Sequence, residues 1–320
     1  MALPEPTRLA ANCNARCLSH RKAHHPEIGS KHLNMNNFEK LMLLALASGA
    51  MVSPAAAQSL TVEDVTRDDD SIRLSTGVHF STGHYGEAVR TTVVSAPLAL
   101  KYTRNNLSVR ISVPYIWIDG PATLLDASHG GDAVTGGVSS LNETGDPEGR
   151  FSEFSSLSGR RQGLGDVTVA ATYSFDLGSN FYFDASGRVR LPTASTRNGI
   201  GTGNADILVS GDLSKEFGPT TIYVHARRRF LDSTGAPWLR NSWGAGAGVS
   251  VEVGEGPIFG VDYDWQRSPI QGEAASNEVT GWASVRLARA LNLSFYGSTG
   301  LNSESAEFAG GMTLSVRVDK

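Results

Sequence analysis

The chain has 320 residues, 40% of them apolar, with 35 glycines and a formal charge of -4 at pH 7. That much apolar material excludes a disordered chain, and without a basic excess there is no electrostatic footprint for nucleic acid, so none is expected as a partner. Both cysteines, Cys13 and Cys17, lie near the start, so nothing downstream of them depends on a disulfide.

Residues 1–34 precede Met35 and hold both cysteines with His20, His24, His25 and His32. Cys-x3-Cys followed by irregular histidines does not match zinc-ligand spacing, so no metal is expected and the segment reads as a leader upstream of the true start. Residues 35–57, MNNFEKLMLLALASGAMVSPAAA, carry Lys40, an apolar core from Leu41 to Val52, and Ala55-x-Ala57. That order predicts a secretory signal peptide cleaved after Ala57; a buried helix is the alternative, and the small residues at its end favour export. A polar linker over 58–70 ends in Asp68-Asp69-Asp70. Beyond Val52 no apolar run approaches the roughly 18 residues of a membrane-spanning helix, so an exported chain is either soluble or a barrel.

From residue 71 the pattern has period two. Its clearest stretch is residues 163–193, where Val167, Val169, Ala171, Tyr173 and Phe175 alternate with polar or small residues. After a turn, Phe181, Phe183, Ala185, Gly187, Val189 and Leu191 alternate with Tyr182, Asp184, Ser186, Arg188 and Arg190. Each strand has one apolar and one polar face and is long enough to cross a bilayer when tilted. The same alternation predicts twelve strands near 71–81, 89–103, 107–118, 165–176, 180–191, 205–217, 220–231, 242–253, 257–267, 278–288, 291–301 and 307–318. Short turns separate them at Arg104-Asn105-Asn106, Leu177-Gly178-Ser179, Gly218-Pro219, Gly254-Glu255-Gly256 and Ala288 to Leu291. Longer connections at 82–88, 119–164, 192–204, 232–241, 268–277 and 302–306 alternate with them. Even strand count, short turns on one side and long loops on the other predict an all-β chain: a twelve-stranded antiparallel transmembrane β-barrel of the bacterial outer membrane, spanning 71–320.

Aromatic positions indicate which face meets lipid. Phe80, Tyr115, Trp117, Phe230, Trp243, Trp265 and Phe308 lie on the apolar face beside long loops, and Tyr173, Phe175, Phe181, Phe183, Phe217 and Phe259 lie beside short turns. Two such girdles suit a lipid-facing wall in contact with phospholipid and lipopolysaccharide; a soluble sandwich would centre its rings in a core. The polar face carries Arg73, Arg110, Arg188, Arg190, Arg227, Arg229, Arg286 and Arg317 with Asp184, Asp212, Glu252, Asp262 and Asp264. A dry core would desolvate these ions at several kcal/mol each, so a wet lumen is expected. The last strand, Gly311 to Val318, keeps apolar residues at alternate positions and ends Val318-Asp319-Lys320. It looks like the terminal strand that barrel-assembly machinery reads, although such signals usually close on an aromatic residue.

Several motifs bear on function. Loop 119–164 is rich in Gly, Ser and Asp, and two arrangements stand for it: folded inward as a plug, or out in solvent. Its Gly130-Gly131-Asp132 and Gly145-Asp146-Pro147 turns have neither the repeat nor the flanking helices of calcium loops. Gly163-x-Gly165 and Gly201-x-Gly203 precede strands and open no helix, so they are turn glycines at a barrel rim, not phosphate loops. Four histidines follow the signal peptide: His79, His84, His129 and His225. His79-x-Ser81 is the nearest arrangement to a hydrolytic pair, and lumen-wall polarity is its simpler reading. Arg188 with Arg190, and Arg227 with Arg229, share the lumen face near the outer rim. Facing Asp262 and Asp264, they would set a transverse field across a pore, or else pair with carboxylates and stiffen the wall. Tyr182, Tyr223, Trp282 and Tyr296 share that face and could stack an aromatic or carboxylate-bearing solute beside the arginines.

GLGDVTVAATYSF at 163–175, followed by LPTASTRNGIGTGNADILVSGDLSKEFG at 191–218, resembles the MetA-pathway phenol-degradation and outer-membrane transporter proteins. In those, a Gly-Leu-Gly-Asp strand entry is followed by a Leu-Pro-Thr loop and a Gly-Thr-Gly-x-x-Asp entry. The match covers the middle third of the chain. It implies a barrel with a role in uptake, of aromatic compounds among others, and supplies no catalytic residues. The expected function is passive passage of small hydrophilic or aromatic solutes, with no cofactor and no enzymatic activity. An outer-membrane hydrolase of lipase or protease type, and a plugged structural or adhesion barrel, are the alternatives.

Overall fold

The computed structural model describes residues 70–85, 89–120, 159–196, 199–201, 203–231, 239–254 and 256–319. The expected leader, signal peptide and most of the linker, and loop residues 121–158, lie outside the described residues. Thirteen strands follow in order: β1 (Ser71–Gly83), β2 (Thr91–Arg104), β3 (Leu107–Asp119), β4 (Arg160–Leu164), β5 (Val167–Gly178), β6 (Phe181–Leu191) and β7 (Asp206–Phe217). The rest are β8 (Thr220–Leu231), β9 (Ser242–Glu252), β10 (Ile258–Gln266), β11 (Ser276–Ala288), β12 (Leu291–Gly300) and β13 (Phe308–Asp319).

All pairings are antiparallel, and β1 bonds β2 on one side and β13 on the other, from Ser71 opposite Asp319 to Thr82 opposite Phe308. The sheet is therefore closed, and β4 and β5 together make one of its twelve wall strands because both pair with β3. Residues 160–164, expected within the long loop, instead extend the wall: Arg160 to Leu164 lie opposite Asp119 to Tyr115. Lack of alternation hides this strand in the sequence, since Arg160, Arg161 and Gln162 carry no apolar mark. The break falls at Gly165, whose N–H donates to Pro114 O at 2.8 Å. A Cβ there would lie 2.5 Å from Ile116 Cδ1 and 2.7 Å from Pro114 Cγ, so only glycine fits. Short turns fall where Asn, Gly and Pro predict them, with positive φ at Asn105, Ser179, Asn180, Gly218 and Gly254.

Outward positions are apolar and inward ones polar. On β10, Val261 is 53% exposed while the next residue, Asp262, is 4% exposed. Leu98, Leu100, Ile111, Val209, Ile222 and Val249 continue the outward apolar band, whereas Ser71, Ser75, Thr280 and Ser315 point in and are buried. A broad apolar band around a sheet is incompatible with water and suits lipid. Phe80, Tyr115, Trp117, Trp243 and Trp265 stand on the outward register at the long-loop ends, and Tyr173, Phe175, Phe181 and Phe183 at the short-turn ends. Tyr115 and Trp117 have ring centroids 4.6 Å apart, and Tyr173 and Phe175 have theirs 4.7 Å apart. Phe295, midway along β12, is an outward ring outside both girdles.

Gly165→Ala is expected to lose about 1–3 kcal/mol by overpacking against Ile116 and Pro114. Gly187→Ala, whose Cβ meets nothing within 4 Å, is expected to change stability little. Urea unfolding in lipid vesicles, followed by tryptophan fluorescence, separates the two.

Candidate functional site: the barrel lumen

Inward residues at every second strand position meet across the interior, and β9 decides how. Its inward positions run Ser242, Gly244, Gly246, Gly248 and Ser250, leaving a strand almost without side chains between β8 and β10. Inward side chains of the two flanking strands lie down over it. Tyr223 OH donates to Asp262, His225 Nε2 lies 3.1 Å from Asp264 Oδ2, and Arg227 donates to Asp264 at 2.5 and 3.1 Å and to Gln266 at 3.3 Å. A Cβ on Gly246 would stand 2.6 Å from the His225 ring, and one on Gly248 2.5 Å from the Tyr223 ring. One strand over, Trp282 covers Gly260 and its Nε1 donates to Tyr223 OH at 3.4 Å.

A second group gathers the residues of the three short motifs. The Asp166 carboxylate accepts from Ala194 N at 2.9 Å, and Thr193 Oγ1 accepts from Val167 N at 2.8 Å, tying the Gly-Leu-Gly-Asp entry to the Leu-Pro-Thr loop. Asp206, the acid of the Gly-Thr-Gly-x-x-Asp segment, accepts from Arg190 and, at 2.7 Å, from Arg229, while Arg190 Nε lies 3.9 Å from Asp166. All four of these ions are largely buried. Above them the loops turn inward: Ile200, Tyr85 and Ala306 pack with Val93, Ile116, Ile118 and Ala309 in an apolar cluster at the long-loop mouth. Burial pushes the Tyr85 phenol up, so it stays neutral there. At the rim both His84 and Arg90 engage Glu307, joining the β1–β2 and β12–β13 connections.

The third feature is a row of cations. Arg317 lies opposite Arg73, Arg73 opposite Lys101, and Lys101 opposite Arg110. The row continues through Ala170 to Arg188, and through Leu208 to Arg229. Because barrel strands tilt, a row that follows the hydrogen bonds climbs as it circles. It starts near the short-turn end at Arg317 and reaches the long-loop end at Arg229. Half a turn of the wall from β1–β3 lie β8–β10 with Asp262 and Asp264. Lys101, Arg110 and Arg188 line one lumen cavity together with Asp184, Asp212 and His225, so cations and acids share it.

The sequence expectation that Arg188, Arg190, Arg227 and Arg229 all face Asp262 and Asp264 is corrected. Arg227 alone meets Asp264; Arg190 and Arg229 turn to Asp206, and Arg188 lines the cavity. Strand separation is the reason for the β6 pair, since β10 is two strands from β8 but four from β6; Arg229 lies opposite Ser242, past the end of β10 at Gln266, and has Asp206 on the adjacent β7. Of the four lumen aromatics, Tyr223 and Trp282 meet each other, while Tyr296, opposite Trp282 on β12, lies beside His79 on β1 with ring centroids 6.3 Å apart. Tyr182 sits near the short-turn end of β6, and Arg286 is exposed at the matching end of β11. His79, weighed with Ser81, is buried against Tyr296. Gly165 and Gly203 precede strands; Gly203 has φ +74°, while Gly165 marks a break within the wall. Sequence reasoning missed Lys101, Asp166 and Asp206, although inward parity on β2 and β7 would have found Lys101 and Asp206.

Among solved structures, the COG4313 outer membrane channel from Pseudomonas putida F1 is similar to this chain with TM-score 0.58 at 15% identity, covering 83% of this chain and all of that one. The fold is that of an outer-membrane channel. More distant are the NanC porin, with TM-score 0.45, 8% identity and 78% and 100% of the two chains covered, and the CymD monoaromatic hydrocarbon channel, with TM-score 0.43, 13% identity and 83% and 93% covered. No protein-family model and no curated protein matches the chain. Within this fold the lumen is the continuous polar surface screened from lipid, so inward side chains decide what the interior accepts.

Asp264→Leu is expected to cost about 3–5 kcal/mol, since Arg227 is left buried without its carboxylate. Arg227→Met with Asp264→Leu is expected to recover most of that loss. The check is a double-mutant cycle of urea unfolding in vesicles.

Proposed function

We propose that this chain is an outer-membrane channel for passive passage of small hydrophilic solutes, aromatic acids among them. The observation that carries the reading is the climbing cation row Arg317, Arg73, Lys101 and Arg110, with β1–β3 half a turn of the wall from Asp262 and Asp264 on β10. Opposed charges in a low-dielectric tube make a transverse field. It orders dipolar solutes and lets an anion move from one cation to the next without being held at any of them. Trp282 and Tyr223 lie away from that row, buried over Gly260 and Gly248. The resemblance of residues 163–175 and 191–218 to the MetA-pathway phenol-degradation and transporter proteins supports the same solute class. The chain is exported through its signal peptide with cleavage near Ala57, and β13 is the terminal strand that barrel-assembly machinery reads. Its wall then sits in phospholipid and lipopolysaccharide, with the long loops outward.

Planar bilayers with a salt gradient test this. The protein is expected to form steady pores, and Lys101→Glu with Arg110→Glu is expected to move the reversal potential toward cation preference. Liposome swelling with benzoate and with a neutral sugar of equal size reads the solute class, benzoate entering faster in the wild type and more slowly in that variant. Absence of pores, or a reversal potential indifferent to both charge reversals, rules the proposal out.

A further inference from the structure

Charged side chains on the outward face are few, and most have a protein partner. Arg160 donates to Asp119 at 3.1 Å at the outer rim, Arg104 lies 3.9 Å from Asp70 at the short-turn end, and Lys215 donates to Ser179 O there. Arg228 and Arg267 differ. Among the described residues neither is paired with a carboxylate. Arg228 occupies the outward register of β8 between Ala226 and Phe230, half-buried on an otherwise apolar wall. Its guanidinium stands 4.6 Å from the Trp243 ring centroid and 5.0 Å from that of Phe230. Its Nε is buried with no hydrogen-bond partner.

Trp243 lies directly opposite Arg228 on β9, and Arg267 N donates to Trp243 O at 2.8 Å, so Arg267 flanks the same residue from the β10 side. Arg228, Trp243 and Arg267 form one outward row at the long-loop end, within the aromatic girdle. Neighbouring strands are about 4.8 Å apart, which sets the two arginine backbones roughly 10 Å from each other with the indole between them. A cation on a lipid-facing wall is costly at the midplane and tolerated at the interface, so this depth favours a charged headgroup as counter-ion. Guanidinium forks match phosphate oxygens two at a time, and the aromatic packing already restricts the Arg228 rotamer.

We propose that Arg228, Trp243 and Arg267 form a binding site for a lipid A phosphate of the outer leaflet. The two guanidinium groups take the phosphate, and Trp243 packs against the sugar and the head of the acyl chains. This rests on the reading above that the wall faces lipid with its long loops outward.

The test uses the purified full chain in detergent and native mass spectrometry with three probes: bisphosphorylated lipid A, the same lipid A after phosphatase treatment, and phosphatidylglycerol. Bisphosphorylated lipid A is expected to be held at least about tenfold more tightly than either of the others. The R228Q/R267Q variant is expected to lose that preference, and R104Q, a cation at the other end of the wall, to keep it. Heat-modifiable migration on gels reports folding of each variant. Equal retention of the three lipids by the wild type, preference for phosphatidylglycerol, or an undiminished preference in folded R228Q/R267Q overturns the site. The channel reading survives those outcomes if pores still form in bilayers. A chain that stays soluble without detergent overturns both.

Discussion

Everything in this molecule depends on the ladder between β1 and β13. Lipid offers no water to an unpaired N–H or C=O, and each such group left open costs several kcal/mol. Twelve wall strands joined edge to edge, with Ser71 to Thr82 bonded to Asp319 to Phe308, leave no free edge below the rim segment β4. Closure then fixes the rest: with period-two alternation, one set of side chains turns to the outside and the other has nowhere to go but the interior. Val261 and Asp262, neighbours in the chain, end in opposite solvents for that reason alone.

The interior set is heavily charged, and the wall handles it by geometry. Ions withdrawn from bulk water are tolerable when paired, and pairing across two strands requires a strand between them with no side chains in the way. The glycines of β9 provide it, letting Tyr223, His225 and Arg227 meet Asp262, Asp264 and Gln266 over a bare backbone. The sequence SWGAGAGVSVE thus has two functions at once: alanine and valine outward for lipid, glycine inward for the network. At the long-loop end a similar economy links Asp166, Arg190, Asp206 and Arg229, and the apolar cluster around Ile118 and Ile200 caps the same end. The lumen therefore combines an apolar mouth, a buried ionic shoulder beneath it, and a cation row running below and around both.

Strand parity, turn chemistry and the two aromatic girdles are local properties, and they were readable from residue types alone. Alternation gave the wall strands, Asn105-Asn106 and Gly218-Pro219 gave the tight turns, and the positions of Trp117, Trp243 and Phe181 separated outside from inside. Residues 160–164 escaped because their polar side chains lie at the rim beyond the lipid, where no apolar alternation is required. The short motifs were visible as motifs; that Asp166, Thr193 and Asp206 come together was not, because strand pairing and an inward-turned loop create that meeting.

The sequence by itself determined that the chain is a barrel, how many wall strands it has, and which face of each strand is apolar, since these follow from a period of two, from where turns interrupt it and from the two bands of aromatic residues. Only the tertiary structure decided who faces whom. Arg190 and Arg227 look alike along the chain, yet one reaches Asp206 and the other Asp264. Partners across a closed sheet are set by register and tilt, which no single strand encodes; the same register lines Arg317, Arg73, Lys101 and Arg110 into a row from four separate strands.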